Sequence, residues 1–139
     1  MEDSEALQAL EATKGRANEL MKAGSYGPAS EIYASVVQEI DSMELEGDDN
    51  LWLMRIACLN NLAMAYQKLG EDKLVIETCT AALLLNGENL KAFYRRSQSY
   101  MQLARLEDDE KEFPRDGKWI PSDYWALADA DAACILNEE

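Results

Sequence analysis

The chain has 139 residues, of which 47% are apolar, and this is enough for one domain with a buried core. Its 27 acidic and 13 basic residues give a net charge of −14, which argues against nucleic-acid binding because such proteins present a basic face to phosphates. There is no histidine, so Ser-His-Asp, Cys-His and histidine–metal chemistry are excluded. The scattered glycines form no phosphate loop. The sequence predicts a non-enzymatic protein without cofactor or metal.

The cysteine pattern and the N-terminus bear on the cellular compartment. Cys58, Cys79 and Cys134 are odd in number and lack the C-x-x-C spacing, which is typical of a reducing environment. The first ten residues, MEDSEALQAL, lack the basic start and apolar stretch of a signal peptide. The longest apolar run is too short for a bilayer. We expect a cytoplasmic protein.

Apolar residues recur at helical spacing along almost the whole chain, so the predicted fold class is all-α. Six helices are expected, with Gly24, Gly70 and Gly87 at helix ends. They pair into three hairpins of a single domain 1–139, at about 4–45, 49–86 and 88–137. Residues 46–50 are predicted to be a loop. An insertion at about 107–121, with two prolines and mixed charges, is also expected to be loop rather than helix.

The hairpins repeat with a period of 34 residues. Leu59, Ala63 and Tyr66 of the second hairpin align with Phe93, Ser97 and Tyr100 of the third. This pattern of small residues, aromatics and glycine at that period is the signature of tetratricopeptide (TPR) repeats. No hairpin buries its apolar face alone, so three stacked hairpins should form a short right-handed superhelix with a concave peptide groove.

The first helix of each TPR hairpin lines the concave surface, and the residues at its inward positions share one property: none is acidic apart from Glu11 near the edge. In so acidic a chain this segregation predicts an anion-binding groove. The inward residues are Lys14, Asn18, Met21, Lys22, Asn60, Asn61, Met64, Gln67, Lys68, Lys91, Tyr94, Arg95, Gln98, Met101 and Gln102.

Two pairs in this set are spaced by one helical turn. Lys14 and Asn18 share one helix face, and Lys91 and Arg95 share another. Together with Asn61 they could converge on a doubly negative target such as a C-terminal aspartate. The alternative for each basic pair taken alone is an ordinary solvated helix face, and Asn61 could instead bridge neighbouring helices.

The segments TKGRANELMKAGSY, CLNNLAMAYQKLG and IETCTAALLLNGENLKAFYRRSQSYMQL resemble the TPR region of immunophilin-type co-chaperones, with Ala17 in place of a usual glycine. In that family a carboxylate clamp binds the C-terminal EEVD of heat-shock proteins of 90 and 70 kDa. The resemblance implies the same clamp here and such a tail as the partner. The matching residues are Lys14, Asn18, Asn61, Lys91 and Arg95.

Further groove contacts are expected from Tyr94 beside Arg95 and from Gln98. The set also includes Met21, Met64 and Met101, each of which could be core filler instead, and Lys22 and Lys68, facing acidic residues upstream in the peptide. Arg96 is expected to point elsewhere and to be solvated. Asp129 and Asp131 are likewise expected to face solvent.

Two other functions stay open from the sequence. The first is a TPR scaffold that binds an internal peptide or a folded partner through the convex face or the insertion. The second, an enzyme, has little support, since the prolyl isomerase domain of related immunophilins has no counterpart here. Ile135 and Leu136 of the last hairpin are expected to lack a full cover, which either a continuation of a longer chain or self-association with another copy would supply.

Overall fold

A computed structural model describes residues 2–43, 49–110 and 121–137. These residues form six α-helices and no strand. The helices are α1 (Glu2–Lys22), α2 (Tyr26–Asp41), α3 (Asp49–Leu69), α4 (Asp72–Leu85), α5 (Leu90–Glu110) and α6 (Tyr124–Asn137). No helix within the described ranges is long and apolar enough to cross a membrane.

Glycines end the first helix of the first two hairpins, as the sequence predicts. Gly24 has φ 78° and Gly70 has φ 74°, a left-handed conformation that glycine adopts without a Cβ clash. The backbone N–H of Ser25 donates to the carbonyl of Leu20 at 2.8 Å, so the chain turns directly into the next helix. The same arrangement recurs after Gly70.

Asparagines rather than a glycine shape the turn between α4 and α5. The fourth helix ends at Leu85 with Asn86 as its C-cap, so Gly87 lies two residues beyond the helix, as Gly24 does beyond α1. Asn89 Oδ1 accepts a hydrogen bond from the backbone N–H of Ala92 at 3.2 Å and caps α5. Asn89 Nδ2 also donates to Asn60 Oδ1 at 2.9 Å, which fixes the start of α5 against α3.

The helices form two layers. Each helix packs against the next along the chain, and α3 also contacts both α1 and α5. Within the described part of the chain, the backbones of α2, α4 and α6 do not approach one another in this way. The odd-numbered helices therefore form an inner layer with a continuous shared surface, and the even-numbered helices lie outside it.

Two buried clusters hold the layers together. The first surrounds Tyr33 and Ile40 of α2 and includes Cys58 and Leu62 of α3. The second joins Leu59 and further residues of α3 to residues of α4 and α5; its members are Leu59, Ala63, Val75, Cys79, Ala82 and Ala92. Because α3 contributes residues to both clusters, it joins them. Small side chains at the contacts let the helices approach closely.

The loops are placed differently from the prediction. Residues 107–110 are helical, because α5 continues to Glu110. The predicted insertion therefore begins too early, and its residues 111–120 lie outside the described ranges. In the first connection α2 already ends at Asp41, and Asp49 and Asn50 belong to α3 instead of the predicted loop. Asp49 lies in the first turn of α3, where a negative charge is favoured.

Asp108 of α5 joins the two sides of this insertion. Its Oδ1 accepts a hydrogen bond from the backbone N–H of Ser122 at 3.0 Å, and its Oδ2 accepts one from the Trp125 indole at 2.7 Å. Ser122 Oγ in turn accepts a hydrogen bond from the backbone N–H of Tyr124 at 3.2 Å, so Ser122 caps α6. The start of α6 is thus fixed to α5.

An ion pair secures the middle of α6. Arg96 Nε and Nη2 donate to the two carboxylate oxygens of Asp131 at 2.9 and 2.7 Å. Arg96 Nη1 donates to Thr80 Oγ1 at 3.0 Å, and the guanidinium lies 5.7 Å from the Phe93 ring centre and 5.9 Å from that of Tyr100. The prediction that Arg96 and Asp131 are solvated was wrong, because the two residues satisfy each other's charge inside the third hairpin.

Candidate functional site

Three of the five predicted clamp residues meet around Tyr33, at the contact of α1, α2 and α3. The Tyr33 hydroxyl donates a hydrogen bond to Asn18 Oδ1, and the Asn61 side chain lies near enough to Tyr33 to lower its pKa. Burial raises the pKa of Tyr33, the neighbouring Cys58 raises it further, and Asn61 opposes the shift. The protonated phenol therefore holds Asn18 in position, with Asn61 nearby on α3.

Lys14 belongs to the same group. It is half-buried on α1, one turn before Asn18, and it interacts electrostatically with Cys58 of α3. Burial raises the pKa of the Cys58 thiol to about 11, and the Lys14 ammonium opposes that shift. Cys58 and Asn61 are one turn apart on α3, so Lys14 reaches the helix that carries Asn61.

The other two clamp residues, Lys91 and Arg95, line a cavity of about 520 Å³ between α3 and α5, which we call the first cavity. Three further predicted groove residues line the same cavity. They are Met64, Lys68 and Tyr94. Met64 is one turn from Asn61 on α3, so the first cavity adjoins the group around Tyr33 along that helix.

Arg95 is half-buried, and its Nη1 atom has no hydrogen-bond acceptor among the described residues. Cys79 lies near it. Burial raises the pKa of the Cys79 thiol to about 11, and the Arg95 guanidinium opposes that shift. A neutral thiol does not neutralise a guanidinium. Arg95 forms no ion pair among the described residues, and it lines the first cavity, so its guanidinium can bind an external carboxylate there.

A chain of hydrogen bonds crosses the groove. Gln67 Nε2 of α3 donates to Gln98 Oε1 of α5 at 2.7 Å, and Gln98 Nε2 donates to the Tyr94 hydroxyl at 2.8 Å. Gln98 and Met101 line a second cavity of about 550 Å³ that shares Gln67 with the first. The sequence-predicted contacts of α5 are therefore divided between two adjoining cavities.

The remaining predicted groove residues lie elsewhere. Met21 packs against the first buried cluster, so it acts as core filler. Lys22 is exposed and forms an ion pair with Glu19 at 3.5 Å. Asn60 is engaged by the helix cap Asn89. Ile135 of α6 also lines the first cavity. Sequence reasoning missed this contact, because it depends on how α6 docks.

The described residues hold no cluster of three or more potential metal ligands among histidine, cysteine, aspartate and glutamate. The site consists of amides, cations and apolar side chains. Such a set can bind a carboxylate-bearing peptide by charge-assisted hydrogen bonds and apolar contact.

Comparison with solved structures identifies the architecture. The second TPR of Spaghetti (RPAP3), solved bound to the HSP90 peptide SRMEEVD, matches with a TM-score of 0.66 and 24% sequence identity, and each chain is covered completely. The fold is that of a TPR domain. The TPR fold predicted from the 34-residue period is thereby confirmed.

Curated proteins with similar sequences include TPR co-chaperones. The Saccharomyces cerevisiae Hsp70/Hsp90 co-chaperone CNS1 is 29% identical over 106 residues, or 76% of this chain and 26% of CNS1. Bovine peptidyl-prolyl cis-trans isomerase FKBP4 is 28% identical over 92% of this TPR chain and 28% of its own length. Human mitochondrial import receptor subunit TOM70 is 28% identical over 97% of the chain.

The TPR chain spans about a quarter of CNS1 and of FKBP4, and 18% of TOM70. No protein-family model matches it. The similarity therefore lies in one part of each relative.

Proposed function

We propose that this TPR domain is a non-enzymatic co-chaperone module that binds the acidic C-terminal EEVD-type tail of heat-shock proteins of 90 kDa, 70 kDa or both. The observation that carries the proposal is the first cavity, in which Lys68, Lys91 and Arg95 stand together in a chain of net charge −14. The similarity to an Hsp70/Hsp90 co-chaperone and the fold shared with a TPR solved on an HSP90 peptide support it. Such a partner implies a cytoplasmic location.

In this proposal the terminal aspartate contacts both groups of clamp residues. Lys91 and Arg95 bind it from α5, and Lys14, Asn18 and Asn61 bind it from α1 and α3. Charge-assisted hydrogen bonds contribute roughly 1.5–3 kcal/mol each, and ordering the tail offsets part of the sum. A remaining free energy near −8 kcal/mol corresponds to a dissociation constant of about 1 μM. Affinity should fall with added salt, which screens charges.

The first cavity also suits an aliphatic side chain beside that carboxylate. Met64, Leu90 and Ile135 line it next to the cations. Methionine is flexible enough to adapt to an apolar side chain of the peptide. The negative charge of the rest of the molecule repels acidic peptides. This repulsion slows association, and it disfavours acidic peptides that cannot contact the cations of the first cavity.

Isothermal titration calorimetry with acidic C-terminal peptides of each chaperone class tests the proposal. We expect micromolar binding of the free peptide and none of the C-terminal amide. The double variant Lys91→Ala, Arg95→Ala should lose binding and keep its helical circular dichroism. Lys73→Ala, an exposed lysine on α4, is the matched control and should bind normally. Equal binding of the amidated peptide would instead favour a scaffold for internal segments, and unchanged affinity in the double variant would refute the clamp.

A further inference from the structure

Tyr33 of α2 is a core residue whose polar end contacts the clamp. It is 1% exposed and is the largest fully buried side chain in the described part of the chain. Its hydroxyl donates a hydrogen bond to Oδ1 of Asn18 on α1. A residue of the outer layer therefore contacts one of the predicted clamp residues from the side opposite the groove.

This hydrogen bond decides which end of the Asn18 amide a ligand can meet. The oxygen and the NH₂ group of an amide are similar in size, so hydrogen bonds fix its orientation. With Oδ1 bound to the buried phenol, Nδ2 lies on the other side of the planar group. Nδ2 forms no hydrogen bond within the described ranges, and it is not among the buried polar atoms that lack a partner there. The NH₂ group is therefore accessible and ready to donate.

The neighbours of Tyr33 favour the same orientation. Asn61 of α3 lowers the pKa of the phenol, which is the effect of an N–H directed at its oxygen. An Asn18 amide turned the other way would place its NH₂ group against a phenol oxygen that Asn61 already approaches. Lys14 lies one turn before Asn18 on α1 and carries only donors. Lys14 and Asn18 thus both present donors to a ligand.

A pair of donors distinguishes a carboxylate from a carboxamide. A carboxylate accepts hydrogen bonds on both oxygens, whereas a carboxamide brings an NH₂ group that Lys14 and Nδ2 of Asn18 cannot accept. An Asn18 side chain with a free Oδ1 could rotate and accept from that group. The hydroxyl of Tyr33 removes this alternative, and so disfavours a competitor of nearly the same shape.

We propose that Tyr33 is a positioning residue that makes the clamp specific for a terminal carboxylate over a carboxamide. It acts through Asn18, because it occupies Oδ1 and keeps the NH₂ group turned toward the ligand. The proposal rests on the clamp function above. It adds a buried residue of α2, outside the groove, to the residues that determine which peptide terminus is bound.

Fluorescence anisotropy with the labelled peptide SRMEEVD tests this inference. Its unlabelled free acid and C-terminal amide serve as competitors, at concentrations that also measure ligands too weak for calorimetry. Tyr33→Phe should bind the free acid about threefold more weakly than the parent protein does, and its preference for the acid over the amide should be about tenfold smaller. Tyr66→Phe is the matched control, since Tyr66 packs against the same buried cluster, and it should keep the parent affinity and preference.

Two changes of Asn18 show whether Tyr33 acts through it. In an Asn18→Ala background, Tyr33→Phe should have no further effect on either peptide, whereas a general packing defect would weaken binding again. Asn18→Asp keeps an acceptor for Tyr33 and turns a second oxygen toward the ligand. It should therefore bind the free acid at least tenfold more weakly than the parent protein does. Because this variant retains Tyr33, it tests the orientation independently of the stability of Tyr33→Phe.

The outcomes separate the two proposals. Three results overturn the role of Tyr33 alone: a parent preference that Tyr33→Phe retains, an effect of Tyr33→Phe that persists in Asn18→Ala, or parent-like binding of the free acid by Asn18→Asp. Failure of the parent protein to bind the free acid overturns the clamp and this inference together.

Discussion

Replacing Asp131 with asparagine removes the charge that Arg96 contacts inside the third hairpin. The two side chains are only 5% and 18% exposed, so the remaining guanidinium stays largely out of water. Asparagine keeps the shape and one acceptor, and Thr80, Phe93 and Tyr100 still contact the cation. Breaking one partner of a buried pair costs about 3–5 kcal/mol, and we expect a value near the lower limit, about 3 kcal/mol. For a chain of this size that corresponds to a thermal midpoint lower by roughly 9 °C.

Urea unfolding followed by circular dichroism measures this effect, and an unchanged slope with denaturant shows that the loss lies in the native contacts. Asp129→Asn is the matched control, since Asp129 is exposed on the same helix, and it should change stability by less than about 0.5 kcal/mol. The double variant Arg96→Met, Asp131→Leu should recover much of the loss, because two apolar residues leave no unpaired charge. A result for Asp131→Asn that matches the control would refute the reasoning.

Two further predictions concern turns and thiols. Gly24→Ala and Gly70→Ala should each destabilise the domain by about 1–2 kcal/mol, because both glycines have positive φ. Gly15→Ala adds a Cβ that no atom approaches, so it should stabilise the domain by up to about 1 kcal/mol. Thermal melts in which the three variants shift the midpoint alike would contradict this. Burial holds the pKa of the Cys58 and Cys79 thiols at about 11, above the ordinary 9.0. As pH rises, the unfolded chain therefore loses these two protons before the folded protein does. The free energy of unfolding should be constant near neutral pH and fall between pH 9 and 11. Urea titrations across that pH range measure the decrease in the free energy of unfolding. The double variant Cys58→Ala, Cys79→Ala should show a smaller decrease with pH, and an equal decrease would exclude the thiols as its cause.

The parts of the fold that depend on local chemistry could be predicted from the sequence. Gly24 and Gly70 mark helix ends because positive φ is a property of the single residue and its two neighbours. The 34-residue period predicted the TPR architecture for the same reason, since each hairpin repeats its own helix contacts. Gly87 also follows a helix end but has no positive φ, and in this turn Asn89 caps the start of α5 and links it to α3.

The environment of individual charges could not be predicted in this way. Arg95 and Arg96 are adjacent and identical in type, yet one lines the first cavity and the other is paired inside the hairpin. The difference depends on Asp131, 35 residues away, and on how α6 docks. Similarly, Asn60 and Asn61 both looked inward-facing, and only the contact with Asn89 separates their roles.

Residues at the groove gave a mixed result for a related reason. The pattern placed Met64 and Lys68 on helix faces that turn inward, and both residues line the first cavity. It gave no information on depth, which is why Met21 belongs to the core and why the contact between Tyr33 and Asn18 was not anticipated. Depth depends on the packing distance between helices, and no single helix encodes that distance.

The carboxylate of Asp108 links the third hairpin to the groove. By holding Ser122 and Trp125 directly, it fixes the start of α6 to α5. Ile135 of the same helix lines the first cavity, so the position that Asp108 gives to α6 also bears on the shape of the groove.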